Sequence, residues 1–311
     1  MTAPHYFHHE ALFYDGDAEF VDRCSAFATE GLERGEPVLV MVGSRKLELL
    51  RDALDGRADK LALVDMEVIG RNPARIIPAW RRFVADHNRD PGGPIRGIGE
   101  PIWADRRADE MAECQLHESL INLAFADADS FRLVCPYDTS SLSDDVIAEA
   151  RCSHPIVSEG GGPEESGRYR GLPTVAARFS EPLPEPPGGA DEYTVTLDGL
   201  RDARDIVRRR ATQAGLGERV DDVVLAVNEV LSNSLHHAQE DGRLRIWNEP
   251  GGLVCEVHDG GHIRQPLVGR EEPSTGQIGG HGVWLVNLVC DLVQVRSSED
   301  GSTVRMKMSP A

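Results

Sequence analysis

One stretch of this chain, from about Ser158 to Asp191, constrains its fold more than any other, because it reads as unable to join a core. It opens with Ser158-Glu159-Gly160-Gly161-Gly162-Pro163-Glu164-Glu165-Ser166-Gly167 and closes with Pro182-Leu183-Pro184-Glu185-Pro186-Pro187-Gly188-Gly189. Proline lacks the amide hydrogen that helices and central strands need, and glycine makes any fixed backbone entropically costly. A linker over 158–190 is therefore expected, flexible at its glycines and stiffer at its prolines. Between the two runs, the moderately apolar piece from Tyr169 to Phe179 could pack on either side. A length of 311 residues also exceeds what one hydrophobic core usually serves. Two domains follow as the expectation, 1–157 and 191–311.

The two halves have different rhythms. In the first, short β-branched runs at 37–42, 61–66, 94–98 and 131–135 alternate with helical patterns at about 19–34, 46–54, 74–88 and 109–126. Strands separated by helices imply βαβ units, so a three-layer α/β domain with a mostly parallel sheet is predicted. In the second half, a strand at 193–197 precedes helices at about 200–214 and 218–238, then strands at 243–248 and 253–258. A short apolar helix at 282–290 and strands at 292–297 and 302–308 complete it. Polar turns such as Glu249-Pro250-Gly251-Gly252 join sequence-adjacent strands, which should pair antiparallel. The expectation here is an α+β two-layer sandwich, with helices on one face of the sheet.

Charge narrows the partners. There are 33 Lys and Arg against 52 Asp and Glu, a formal net charge of −19, and such a surface repels phosphate backbones. Direct nucleic-acid binding is not expected. No apolar run approaches membrane-spanning length, and Met1-Thr2-Ala3-Pro4-His5-Tyr6 has no leader pattern, so a cytoplasmic chain without membrane contact is expected. The six cysteines are scattered without a Cys-x-x-Cys pair, and most sit in apolar runs, as small core thiols do. His5, His8 and His9 have no second cluster at ligand spacing to make them a metal site.

The chemistry concentrates in the second half. On the helix from Glu218, residues Val220, Val223, Val224, Val227, Leu231 and Leu235 form one apolar stripe. Asp222, Glu229, Asn233 and His236 lie opposite it, with His237 at the margin, and Glu229 and Asn233 stand one turn apart pointing the same way. Val257-His258-Asp259-Gly260-Gly261 then puts a carboxylate at a strand end, followed by glycines that let backbone approach a flat ligand. Ile278-Gly279-Gly280-His281-Gly282 opens the helix that continues Val283-Trp284-Leu285-Val286. Free amides and the positive dipole end at such a helix start suit a phosphate.

In this order, over about Asp191 to Met308, these segments resemble the nucleotide site of the GHKL (Bergerat-type) ATPase superfamily, and within it the anti-sigma serine kinase branch. Glu229 and Asn233 match its Glu-x-x-x-Asn box, Asp259 and Gly261 its Asp-x-Gly box, and Gly280 and Gly282 its Gly-x-Gly box. The resemblance implies ATP and Mg²⁺ as cofactors. Asn233 would be the metal ligand, Asp259 would accept from the adenine amino group, Gly280 and Gly282 would wrap the phosphates, and Glu229 would be the general base. Gly301-Ser302-Thr303 replaces the Gly-Thr that many members show and keeps a hydroxyl, Ser302, near the adenine. The loop from Arg264 to Gly279 resembles the ATP lid. His262-Ile263-Arg264 stands where many members carry a further glycine.

The branch's anti-sigma members phosphorylate serine or threonine on a small STAS-type antagonist and sequester a sigma factor, so both partners, and a homodimer, are implied. No histidine-bearing dimerisation helices precede the ATPase half, which fits a chain without its own phosphoacceptor. Two alternatives remain at this stage: a nucleotide-gated binding module with weak or no catalysis, and a histidine kinase-like protein whose phosphoacceptor is on another chain.

The first half also resembles a known family. His9 and Tyr14 in His8-His9-Glu10-Ala11-Leu12-Phe13-Tyr14, then Gly99-Glu100-Pro101-Ile102-Trp103, His117-Glu118-Ser119-Leu120-Ile121-Asn122 and Cys135-Pro136-Tyr137-Asp138 are similar to the MEDS sensory domain. That resemblance implies a small ligand, hydrocarbon-like in the family proposal, on a RecA-type α/β fold without a working phosphate loop. Gly43-Ser44-Arg45-Lys46 opens a helix after a strand but lacks the Gly-x-x-x-x-Gly-Lys spacing. Trp103, Tyr137 and His117 fit core and cap packing as well as a ligand pocket.

Overall fold

The computed structural model describes residues 7–87, 93–128, 130–237, 241–273 and 281–310, and the chain divides into two compact units, 1–175 and 176–311. The first unit runs β1 (His8–Tyr14), α1 (Gly16–Glu33), β2 (Val38–Val42), α2 (Ser44–Leu54), β3 (Ala62–Asp65), α3 (Met66–Ile69), α4 (Ile76–His87), β4 (Ile95–Gly99), α5 (Ala108–Ala124), β5 (Phe131–Asp138), α6 (Asp144–Ser153), β6 (Ile156–Glu159) and β7 (Glu164–Glu165). Its seven strands lie in the order β3-β2-β4-β5-β1-β6-β7, and every pairing is parallel except β6 with β7. This is the expected three-layer, mostly parallel α/β domain.

Burial explains why its central strands carry no alternation. All five residues of β2 and of β4 are buried, as happens when helices cover both faces of a parallel sheet. Close packing then fixes two glycines. A Cβ on Gly97 would lie 2.7 Å from the Trp80 ring of α4, and one on Gly99 2.9 Å from it. Arg96 alternates to the other face, where its buried guanidinium bonds Glu36 and Glu30.

Several elements of this unit differ from the sequence expectation. β1, α3, α6, β6 and β7 form where no strand or helix is anticipated. β1 opens on three consecutive polar residues, His8, His9 and Glu10, before its apolar run, a pattern that does not read as a buried strand, yet all but His8 are buried. Within 158–190, expected as linker, β6 extends to Glu159 and β7 adds an edge pair, while α7 (Leu172–Ser180) takes up much of the apolar piece. All six cysteines are free and buried, as core thiols.

The second unit continues with β8 (Asp191–Val195), α8 (Leu200–Gln213), α9 (Val220–His237), β9 (Gly242–Glu249), β10 (Gly252–Asp259), α10 (His281–Val289), β11 (Leu292–Ser298) and β12 (Gly301–Met308). The sheet order is β11-β12-β10-β9-β8, antiparallel throughout. Alternation is clean here. Leu244, Ile246, Leu253, Cys255, Val257, Val304 and Met306 share one core with Val207, Val223, Val227 and Leu231 of α8 and α9, while the opposite register positions carry Arg243, Arg245, Glu256, His258 and Arg305. The helices therefore cover one face, giving the two-layer α+β sandwich that was expected. Among the described residues no helix is long and apolar enough to cross a membrane.

Candidate functional site

The site on the second unit follows from strand parity and helix phase. Val257 faces the helices, so Asp259, two residues on, falls on the same side at the end of β10. Its register partner is Ser302 on β12. The chain turns directly after Asp259, with the Gly261 amide donating to Asp259 Oδ1 at 2.7 Å. This leaves the second carboxylate oxygen outside the turn. Ser302 holds the turn from below: its buried hydroxyl donates to the Gly261 carbonyl at 2.8 Å, receives the Ile263 amide at 3.2 Å and meets Ser297 Oγ at 2.9 Å. The Ile263 amide also reaches Ser297 Oγ at 2.9 Å. Ser302 thus positions Asp259 and the segment after it, and its hydroxyl is engaged rather than presented.

Gly301 is required by the same construction. With φ at +116° it adopts a conformation L side chains rarely take, and a Cβ there would fall 2.1 Å from the Asp259 carbonyl oxygen. The β11–β12 turn therefore seats directly on the backbone of the site carboxylate.

The second half of the site is the polar face of α9 against the start of α10. Val223, Val227 and Leu231 are buried, so Glu229 and Asn233 are carried to the opposite side, each partly exposed. There they meet Gly282. A Cβ on Gly282 would lie 2.6 Å from Asn233 Nδ2 and 3.3 Å from Glu229 Oε2. Only glycine lets the first turn of α10 come this close. A carboxylate beside a side-chain amide, whose oxygen can turn inward by rotation about its last bond, suits a hard divalent cation such as Mg²⁺, and a helix start with free amides suits a phosphate. The residues present fit a Mg-nucleotide.

The first part of the expected lid is described to residue 273. Gly269, at φ +69°, accepts a 2.8 Å hydrogen bond from Asn287 Nδ2 of α10, which fastens this loop to the helix that starts at the site. Residues 274–280 lie outside the described residues, and Gly280 with them. On the outer face of the sheet, His258 Nδ1 meets Thr303 Oγ1 at 3.0 Å. Burial first, and then the positive charge of Arg243, hold the His258 imidazole below its ordinary pKa of 6.5.

In the first unit the polar residues quoted above split into two groups. Lys46, in the first turn of α2, donates to Glu100 Oε1 at 2.5 Å and to the Tyr14 hydroxyl, which itself donates to Glu100 at 2.8 Å. Burial pushes the Glu100 carboxyl up, against the opposing pull of Lys46. The one lysine of the Gly43-Ser44-Arg45-Lys46 turn is thereby engaged by the buried Glu100 and Tyr14 side chains. Trp103 stacks under Arg106 at 3.8 Å, and His117 and Tyr137 are buried. His9, Glu118, Cys135 and His154 form the second group, drawn together from β1, α5, β5 and the end of α6. Sequence spacing gives no sign of it, because its members are separated by more than a hundred residues or lie on different elements.

Comparison with known families agrees with both halves. Residues 8–155 match the MEDS family, the methanogen/methylotroph DcmR sensory domain, and residues 193–308 match the histidine kinase-like ATPase domain. No curated protein matches the chain.

Proposed function

With a MEDS sensory domain over 8–155 and a GHKL-type histidine kinase-like ATPase domain over 193–308, we propose that this protein is a nucleotide-dependent regulator of the anti-sigma type. Its ATPase-type half binds Mg-ATP and transfers phosphate to a serine or threonine of a STAS-type antagonist. The same half holds a sigma factor in the cytoplasm. The sensory half takes a small ligand. One observation carries this reading: Glu229 and Asn233 converge on Gly282, where the next side-chain atom would touch both.

In this reading Asn233 contributes an oxygen to Mg²⁺, and Asp259 uses the oxygen outside its turn to accept from the adenine amino group. Backbone at Gly261 and Gly282 makes room for the nucleotide, and the family resemblance assigns Gly280 to the phosphates. Glu229 removes the proton of the attacking hydroxyl. Bound ATP supplies the transferable phosphoryl group, whose charge Mg²⁺ offsets. The net charge of −19 supports capture of a basic sigma factor by charge complementarity. Labelled ATP and a candidate antagonist test it. Glu229→Ala should lose transfer and keep nucleotide binding, and undiminished transfer by that variant removes Glu229 from the role.

A second reading, a nucleotide-gated binding module without transfer, draws on a specific feature. Ile263 occupies the position of the family's further glycine, and its amide is tied to two serine hydroxyls, Ser297 and Ser302. A lid hinge fixed in this way would favour retention of nucleotide over turnover. Measuring whether ATP turns over at all separates the two.

A further inference from the structure

The buried group in the sensory domain is built like a metal site. His9 Nε2 lies 3.1 Å from Glu118 Oε2, His154 Nε2 lies 3.3 Å from the same oxygen, and Cys135 Sγ lies 3.4 Å from His9 Nε2. All four ligand atoms fall within 4.8 Å of one another, and all four residues are buried. Around a zinc ion with Zn–N and Zn–O of about 2.0 Å and Zn–S of about 2.3 Å, tetrahedral edges are about 3.3 Å between N or O atoms and about 3.6 Å to sulfur. The three separations of 3.1, 3.3 and 3.4 Å are close to such edges, and no pair of the four atoms is more than 4.8 Å apart.

The hydrogen bonds around the group fix which atoms face inward. His9 Nδ1 meets Asn122 Oδ1 at 3.0 Å, and Asn122 Nδ2 donates to the Ser153 carbonyl at 2.8 Å, so the amide orientation is set and Nδ1 must be the donor. His154 Nδ1 meets the Ala150 carbonyl at 2.8 Å and must donate as well. In its neutral form each ring turns a lone pair on Nε2 toward the Glu118 carboxylate, which is itself acceptor-only. Three acceptors face one another with a single thiol proton among them. Two of the atoms have no hydrogen-bond partner, His154 Nε2 and Glu118 Oε1. A buried carboxylate in this state needs a cation. Donation of the outer ring N–H to a carbonyl or amide oxygen is what orients histidine ligands on a metal.

We propose that His9, Glu118, Cys135 and His154 bind a zinc-class divalent ion in a closed, four-ligand structural site that ties β1 and β5 to α5 and the end of α6. On binding, the Cys135 thiol releases its proton to solvent and the thiolate takes the fourth position. The other three ligands already carry their lone pairs.

The test uses the full chain, purified without a histidine tag and stripped with a chelator, with cobalt(II) chloride and zinc chloride as probes. Cobalt should bind one ion per chain with the visible bands of a tetrahedral site and a thiolate-to-cobalt charge-transfer band. Zinc should displace it and raise the melting temperature. Cys135→Ser should abolish the charge-transfer band, whereas Cys24→Ser, another buried cysteine of the same unit, should leave it intact. Glu118→Gln should weaken zinc binding at least tenfold without lowering the melting temperature of the stripped protein, since it removes an uncompensated carboxylate. That second readout separates ligation from a purely structural role. Absence of stoichiometric cobalt and zinc uptake, or a charge-transfer band that survives Cys135→Ser, overturns the proposal.

Discussion

Gly282→Ala probes the proposed nucleotide site with one methyl group. The added Cβ would stand 2.6 Å from Asn233 Nδ2, where ordinary contact begins at 3.4 Å, so the Asn233 amide must retreat by roughly 0.8 Å. The obstructing atom is the end of a rotatable side chain, so the fold can absorb the change. Overpacking costs about 1–3 kcal/mol, and exchanging glycine for alanine within α10 returns up to about 1 kcal/mol. Net stability should shift by no more than about 2 kcal/mol. Nucleotide binding has less tolerance, because Mg²⁺ demands near-ideal octahedral geometry and a misplacement near 1 Å is worth up to about a hundredfold. The expected loss of Mg-ATP affinity is ten- to a hundredfold, about 1.4–2.7 kcal/mol. Calorimetric titration of the full chain measures it, with thermal unfolding without nucleotide as the control for folding. Adding Asn233→Ala to Gly282→Ala should cost little further affinity, since both act on one group. A folded Gly282→Ala protein with Mg-ATP affinity within twofold of wild type would refute the placement of Asn233 at the nucleotide.

Three other outcomes follow from the geometry. Gly301→Ala should destabilise the second unit and weaken ATP binding together, because its Cβ would fall 2.1 Å from the Asp259 carbonyl and its φ of +116° disfavours alanine; a change in only one readout would uncouple the turn from the site. Glu256 is buried and accepts from Arg245 Nε at 2.7 Å and Arg305 Nε at 2.8 Å on the outer face of the sheet, so Glu256→Gln should cost about 3 kcal/mol in urea denaturation, as breaking a buried ion pair does. His258 gives a pH dependence. Its folded pKa lies below 6.5, so the unfolded chain takes up the proton first as pH falls, and the stabilising contribution is complete above 6.5 and is lost on acidification toward the folded pKa. The melting temperature of wild type should therefore fall more steeply below pH 6.5 than that of His258→Gln, and parallel curves would contradict this.

How far the fold can be read from residues differs between the halves, for physical reasons. The second unit is an antiparallel sheet with one face on a core, so its strands alternate and α9 shows its apolar stripe against Glu229 and Asn233. Its element ends fall within about two residues of the periodicity expectation. In the first unit, strands are buried on both faces and alternation is lost. β1 is the extreme case: His9 and Glu10 are buried in it because their partners, Glu118 and Ser158, arrive from distant segments. Local pattern carries no trace of such partners. The same holds for the His9, Glu118, Cys135 and His154 group, which no spacing rule could assemble. Ser302 shows a different limit. The sequence places a hydroxyl beside the Asp-x-Gly box, but only the coordinates show it bonded to the Gly261 carbonyl, acting on the turn of Asp259.

In the proposed function, Asp259, Glu229, Asn233 and the start of α10 form an adenine nucleotide site. Titration of the full chain with Mg-ATP and Mg-GTP, using wild type and Asp259→Asn, tests it most directly. Adenine offers an amino donor where guanine offers a carbonyl acceptor, so an unpaired carboxylate oxygen distinguishes them. One ATP bound per chain, no measurable GTP binding, and loss of ATP binding in Asp259→Asn are expected. Equal affinity for ATP and GTP, or ATP binding unchanged by Asp259→Asn, would contradict it.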